Sequence, residues 1–237
     1  MLPKFFVAND ASDTNEAINK TKLISGVSGN YGIKLNLDLV LKDINIISEI
    51  AKLSGKPIFV DMKMWNGRRT MAEVICKLAD LGVSMTNVWA QAEDMLADAV
   101  RVAQETGIAL FGLTVLTHYD DTWCKKFYGR NLNNTVRLLA KTAMNAGCDG
   151  YILPGTCLKA VSNLRGLKFN PAVRPAWYGG GKNYQKQIVE PGVAIRGGAD
   201  VVSCGSPVFE SSGNPAKALR LILEEVESSH LDIQKGE

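Results

Sequence analysis

Histidine is nearly absent from this chain: His118 and His230 are its only two in 237 residues. With neither an HxH nor a CxxC spacing, no metal centre is indicated. His230 falls in a polar tail and reads as solvated; His118 follows the fifth strand and could face a site there, although a surface-loop histidine is the safer reading. Cysteine is sparse too. Cys76, Cys124, Cys148, Cys157 and Cys204 are odd in number and follow no paired spacing, which suits reduced, mostly buried thiols of a cytoplasmic protein rather than a disulfide framework. No apolar run approaches the roughly 18 residues of a bilayer-spanning helix, and the start, Met1-Leu2-Pro3-Lys4-Phe5, lacks the pattern of a secretory leader. No membrane partner is expected. Long basic runs are missing as well. The 27 basic and 24 acidic residues leave a formal charge of +3, so charge implies neither nucleic acid nor a membrane surface, while a small anionic ligand stays open. With only 8 Pro beside 22 Gly and 46% hydrophobic residues, disordered, collagen-like and low-complexity classes are excluded.

What is present is a repeat. Apolar, strand-like runs lie at 4–9, 31–36, 57–63, 83–89, 108–115, 149–153, 167–173 and 200–205, the first five starting 25 to 27 residues apart. A strand followed by a helix needs about that length. Amphipathic stretches fill the gaps at 37–53, 70–81, 92–105 and 134–146, several ending at a glycine such as Gly82, Gly107 or Gly147. Eight βα units without a break predict one (β/α)8 barrel over residues 1–237 in preference to a doubly wound sheet. Two long connections, 118–133 and 174–188, follow the fifth and seventh strands, where this fold carries its chemistry.

Charge gathers at neighbouring strand ends. In Val60-Asp61-Met62-Lys63 the acid and the base are two residues apart, so both face the barrel interior at its C-terminal mouth. Lys34 ends the adjacent second strand and Asp10 the first. An ion-pair plug is the bland alternative, but buried pairs are poor stabilisers and barrel mouths usually hold the chemistry. A lysine beside carboxylates can deliver a proton to a developing carbanion, and a carboxylate beside a substrate acid favours loss of that acid's charge. At the other side, Gly179-Gly180-Gly181-Lys182 after the seventh strand and Gly205-Ser206 after the eighth are placed to cradle an anion, Gly180, Gly181 and Lys182 being candidates for a phosphate.

In order from Val7 to about Ala218, these residues resemble the orotidine 5′-monophosphate decarboxylase family. Val7-Ala8-Asn9-Asp10 is similar to its V-A-L-D opening, and Asp61-Met62-Lys63 to the start of its D-x-K-x-x-D signature. Thr114-Val115-Leu116-Thr117 is similar to T-V-L-T, and Ala146-Gly147-Cys148-Asp149-Gly150 to A-G-x-D-G. Val173-Arg174-Pro175 resembles I-R-P, Gln185 with Pro191 keeps the spacing of Q-x-R-x-x-T-P, and Gly205-Ser206-Pro207 resembles G-R-P. The resemblance implies cofactor-free decarboxylation of a nucleotide to UMP in pyrimidine synthesis. Lys63 would protonate C6 and Asp61 press on the substrate carboxylate. Asp10 and Lys34 would hold the ribose, and Thr117 would face the pyrimidine. Gln185 and Arg174 would serve the phosphate, with Thr70, Gly205 and Ser206 also binding substrate. A homodimer with shared active sites is implied, in which Asn66 stands at the last Asp of the signature. Departures are Asn66 itself, Gly67-Arg68-Arg69 for I-P-N, Trp89 for His, Ser206 for the arginine of G-R-P and Gln187 for that of Q-x-R. Lys182, Arg68 and Arg69 could replace the lost guanidinium. The departures keep two alternatives open: a relative acting on another phosphorylated or nucleoside-like acid, and a catalytically weak nucleotide-binding barrel.

Overall fold

A computed structural model describes residues 2–179, 187–211 and 213–235. The apolar runs form β1 (Phe5–Ala8), β2 (Tyr31–Asn36), β3 (Ile58–Met64), β4 (Met85–Trp89), β5 (Ala109–Leu113), β6 (Gly150–Ile152), β7 (Leu167–Pro171) and β8 (Val201–Cys204). Each strand pairs in parallel with the next, and β1 pairs with β8, Phe5 beside Val202, to close the barrel. Around it lie α1 (Thr14–Ile24), α2 (Leu37–Lys42), α3 (Ile46–Ser54), α4 (Arg68–Asp80), α5 (Ala97–Thr106), α6 (Asp121–Tyr128) and α7 (Leu132–Ala146). The chain finishes its circuit with α8 (Pro191–Arg196), α9 (Ser206–Phe209) and α10 (Pro215–Lys235). The expected (β/α)8 architecture is therefore present, and the strands are apolar on both faces because helices cover them outside and side chains fill them inside.

The inside is packed by a size alternation. Phe6, Phe59, Phe111 and Phe169 come from the odd strands β1, β3, β5 and β7, and their rings touch with centroids 5.5–6.2 Å apart. Four side chains from alternate strands make one layer of such a barrel. The even strands β2 and β6 answer with glycine. A Cβ on Gly32 would lie 2.4 Å from the Phe6 ring, and one on Gly150 would lie 2.7 Å from the Phe111 ring. This aromatic layer closes the barrel below its C-terminal mouth, so a ligand entering from that end meets Phe59 and Phe169 as a floor.

Four expectations fail locally. The helix expected over 37–53 is broken, because Asp43 leaves the helix at φ −156° and its carboxylate accepts the Asn45 N–H at 2.9 Å; aspartate competes in this way with the helical ladder. The stretch 92–105 is likewise divided, since Glu93 takes φ 44° within a 3-10 turn, Ala90–Leu96, before α5 begins. The long connection 118–133 holds α6, whose N-terminus is capped by Asp120 accepting from Trp123 N at 3.1 Å and whose end is Gly129 in the left-handed region. His230 is also not solvated. It is half-buried on α10, and burial together with Lys4 pushes its imidazole pKa down. The cysteines behave as expected, four buried and Cys76 exposed, all free.

Candidate active site

Adjacent strands bring four charges together at the mouth. Register places Asn36 of β2 beside Asp61 of β3, and Ala8 of β1 beside Lys34. The Lys34 ammonium then lies 3.2 Å from Asp10 Oδ1 and 3.5 Å from Asp61 Oδ2, and it also donates to Asn36 Oδ1. Asn36 Nδ2 donates to Asp10 Oδ1 at 2.7 Å. Lys63 Nζ reaches Asp61 Oδ2 at 2.6 Å. Lys34 is only 9% exposed, whereas the Lys63 side chain is 38% exposed and faces the cavity. Burial works against charge on Lys34, but Asp10 and Asp61 more than offset it and hold the ammonium above the ordinary lysine range. Burial likewise pushes the Asp61 carboxyl up, yet Lys34, Lys63 and the hydrogen bonds from Lys63 and Asn87 bring it below the usual carboxylate range. Both stay ionised at neutral pH. The array is a fixed carboxylate with a partly exposed ammonium beside it.

The facing wall comes from the loops after β5, β7 and β8. Thr117, His118, Arg174, Gly205 and Ser206 line it, above the apolar side chains of Leu113 and Ile152. Beyond Pro171 the chain turns through Ala172 at φ 63°, a left-handed conformation that strains an alanine, and this turn ends the strand and carries Arg174 to the cavity. Arg174 N is fixed to Val189 O at 2.9 Å, and Gln187 N to Thr117 O at 3.2 Å. Ser206 Oγ donates to Glu210 Oε1 at 2.9 Å. The site thus pairs a charged half on β1–β4 with a polar half on β5–β8, over an aromatic floor.

The family model for orotidine 5′-phosphate decarboxylase / HUMPS matches residues 3–222. The chain belongs to that family. Among curated relatives, the orotidine 5′-phosphate decarboxylase of Methylobacterium sp. (strain 4-46) is 30% identical over 232 residues, covering 94% of this chain and 95% of the relative. The enzyme of the same name from Afipia carboxidovorans is 31% identical over 184 residues, 75% of each chain. The fold is shared with the crystal structure of orotidine 5′-phosphate decarboxylase from Lactobacillus acidophilus, at a TM-score of 0.79 and 24% identity, over 94% of this chain and 99% of that one. The chain is therefore a member of an enzyme family whose relatives of that name are carboxy-lyases.

Against this family's pattern the structure sorts the expected residues into three groups. Asp10, Lys34, Asp61, Lys63, Thr117, Arg174, Gly205 and Ser206 share one cavity. Asn66, Arg68, Arg69 and Thr70 do not: they are exposed beyond the end of β3 and in the first turn of α4, outside their own chain's cavity, where Asn66 Oδ1 accepts the Gly67 N–H at 2.8 Å. Gly180, Gly181, Lys182 and Gln185 lie outside the described residues. His118, for which a surface loop was the safer expectation and a place facing the site the alternative, is exposed and lines the cavity. Asn36 and Asn87 were missed. Asn36 had a signal, standing two residues after Lys34 and hence on the same face; Asn87 had only the oddity of an amide inside a buried strand.

No helix among the described residues is long and apolar enough to cross a membrane.

Proposed function

We propose that the chain converts orotidine 5′-monophosphate to UMP and CO2 in the cytoplasm, as a step of pyrimidine synthesis, without a cofactor. The observation that carries this reading is the Lys63 ammonium held 2.6 Å from an Asp61 carboxylate that is itself kept ionised. Asp61 opposes the charge of the substrate carboxylate and favours its departure as neutral CO2. The C6–carboxylate bond breaks, its electron pair stays on C6, and Lys63 Nζ gives that carbon a proton, which solvent later restores to the amine. Lys34 and Asp10 hold the ribose hydroxyls, Thr117 meets the pyrimidine, and Arg174 with Gln185 and the Gly205–Ser206 turn serves the phosphate. The free cysteines fit a reducing compartment.

The test is the fall in ultraviolet absorbance when orotidine 5′-monophosphate is added to pure protein. Continuous loss of absorbance is expected; no loss, with UMP still binding, sinks the proposal. One observation favours a second reading, a related reaction on another phosphorylated acid: Ser206 stands where the family pattern has arginine, and its hydroxyl is bound to the carboxylate of Glu210. That reading gains if UMP fails to bind.

The shared-site homodimer belongs to the same proposal. Asn66 and Thr70 are exposed, and so are two large apolar side chains, Trp65 next to Asn66 at 58% and Leu41, in a surface hollow shared with Asp61 and Lys63, at 75%. In a dimer these residues complete the partner's cavity. Mixing an Asn66→Ala protein with a Lys63→Ala protein should therefore restore about a quarter of wild-type turnover, since half the subunits pair as hybrids and each hybrid has one intact site. Sedimentation as a monomer, or no recovery on mixing, removes the shared site.

A further inference from the structure

We infer that Asn87 is the positioning residue that sets both the orientation of Lys63 and the charge of Asp61, an inference that rests on the decarboxylase reading above. The register of β3 against β4 is the starting point. Val60 pairs with Thr86 and Met64 with Val88, so residues 61–63 of β3 face Asn87 alone. A bulge of this kind leaves backbone groups without ladder partners. Lys63 N–H is one of them, and the side chain of Asn87 takes the place of the ladder: its Oδ1 accepts that N–H at 2.6 Å. The bond fixes Lys63 at φ 48°, a left-handed conformation disfavoured for any side chain but glycine. The other end of the same amide donates from Nδ2 to Asp61 Oδ1 at 2.7 Å. Asp61 Oδ2 is thereby left to Lys63 at 2.6 Å and Lys34 at 3.5 Å.

Only an amide meets both demands. One planar group must present an acceptor to the Lys63 backbone and a donor to a carboxylate, and Asn87 is 1% exposed, so water cannot substitute for either. Aspartate keeps the shape and the acceptor but has no donor for Asp61. Alanine has neither. The groups facing Asp61 from the surrounding strands are Lys34 on β2, Lys63 on β3 and Asn87 on β4, with the Asp10 carboxylate behind Lys34. Removing the Asn87 donor takes away one support of the ionised carboxylate while its burial remains, so the Asp61 pKa rises. The rate, which needs Asp61 charged, then fails at a higher pH as acid is added.

The experiment compares wild type, Asn87→Ala and Asn87→Asp by pH-dependent turnover of orotidine 5′-monophosphate and by UMP binding. The expected result is a fall in kcat of about a hundredfold, as for a misplaced reacting group. UMP, which lacks the carboxylate and needs no proton, should bind within about threefold of wild type, and the acid limb should move up by about one pH unit in Asn87→Ala. Equal losses of kcat and UMP affinity with an unmoved acid limb would show a merely structural residue and overturn the inference. Two measurements separate this from failure of the decarboxylase reading or of the variants' folding. In the wild-type protein the Lys63 amide should exchange slowly with solvent, and the carboxyl carbon of Asp61 should titrate below free aspartate. Rapid exchange at Lys63 overturns the inference whether or not any substrate turns over.

Discussion

Replacing Lys63 by alanine is expected to lower decarboxylation by at least about a thousandfold, within the range that a positioned proton donor supplies, while UMP still binds. No other described ammonium can take over. Lys34 is held by Asp10, Asn36 and Asp61, and in the proposed pose it meets the ribose rather than C6. Asp61 keeps Lys34 and Asn87 when Lys63 is lost, and the fold should survive. A glycine variant sharpens the test. Lys63 sits at φ 48°, where glycine is relaxed and alanine is not. Lys63→Gly should therefore be as inactive as Lys63→Ala yet more stable by about 1 kcal/mol. That pair of outcomes, read by absorbance and by denaturant unfolding, would mean that strain is retained at this position for chemistry. Retained turnover in either variant would refute the donor role.

The reach of the sequence can be judged at particular residues. β2 runs from Tyr31 to Asn36 as expected, because Tyr31, Ile33 and Leu35 alternate with Gly32, Lys34 and Asn36 in a short run bounded by turn residues, in a repeat of this period. Asp61 and Lys63 were legible for an equally local reason: two residues apart on a strand means one face. Asn87 was not legible, since its role comes from the bulge between β3 and β4, a property of two strands in register and not of either alone. Asn66 is a different case, since the resemblance assigns it to a site shared with a second subunit. It is three residues from Lys63 and part of the same motif, but β3 ends at Met64 and the chain turns outward, so nearness in sequence does not become nearness in the cavity. α6 could have been found from Asp120 and Gly129, a cap at each end. It was hidden because Trp123, Phe127 and Tyr128 pack on one another instead of forming a deep apolar stripe.

Replacing Lys34 by methionine should remove the array's inner cation and cost about 1–3 kcal/mol at neutral pH, because the buried Asp61 carboxylate keeps Lys63 and Asn87 but loses its second cation. The pH dependence identifies the cause. Asp61 is held below the free carboxylate pKa in the wild type, so its contribution to stability is present above the unfolded value and is lost as pH falls through the folded one. In the variant the burial penalty persists with less compensation, Asp61 protonates more readily, and the deficit shrinks on acidification. Lys34 is held above its ordinary value, so its contribution is complete below the unfolded pKa and fades as pH rises through the folded one. The variant has no such contribution to lose, and the curves converge again in alkali. Urea unfolding at about pH 4, 7 and 11 should therefore show the largest difference in the middle; a deficit independent of pH would exclude electrostatics as its origin. Adding Asp61→Asn to Lys34→Met removes the under-compensated buried charge, and stability should return most of the way while turnover stays lost. A barrel that tolerates the neutral pair but cannot react with it holds these charges for the substrate's carboxylate, and its own folding would proceed without them.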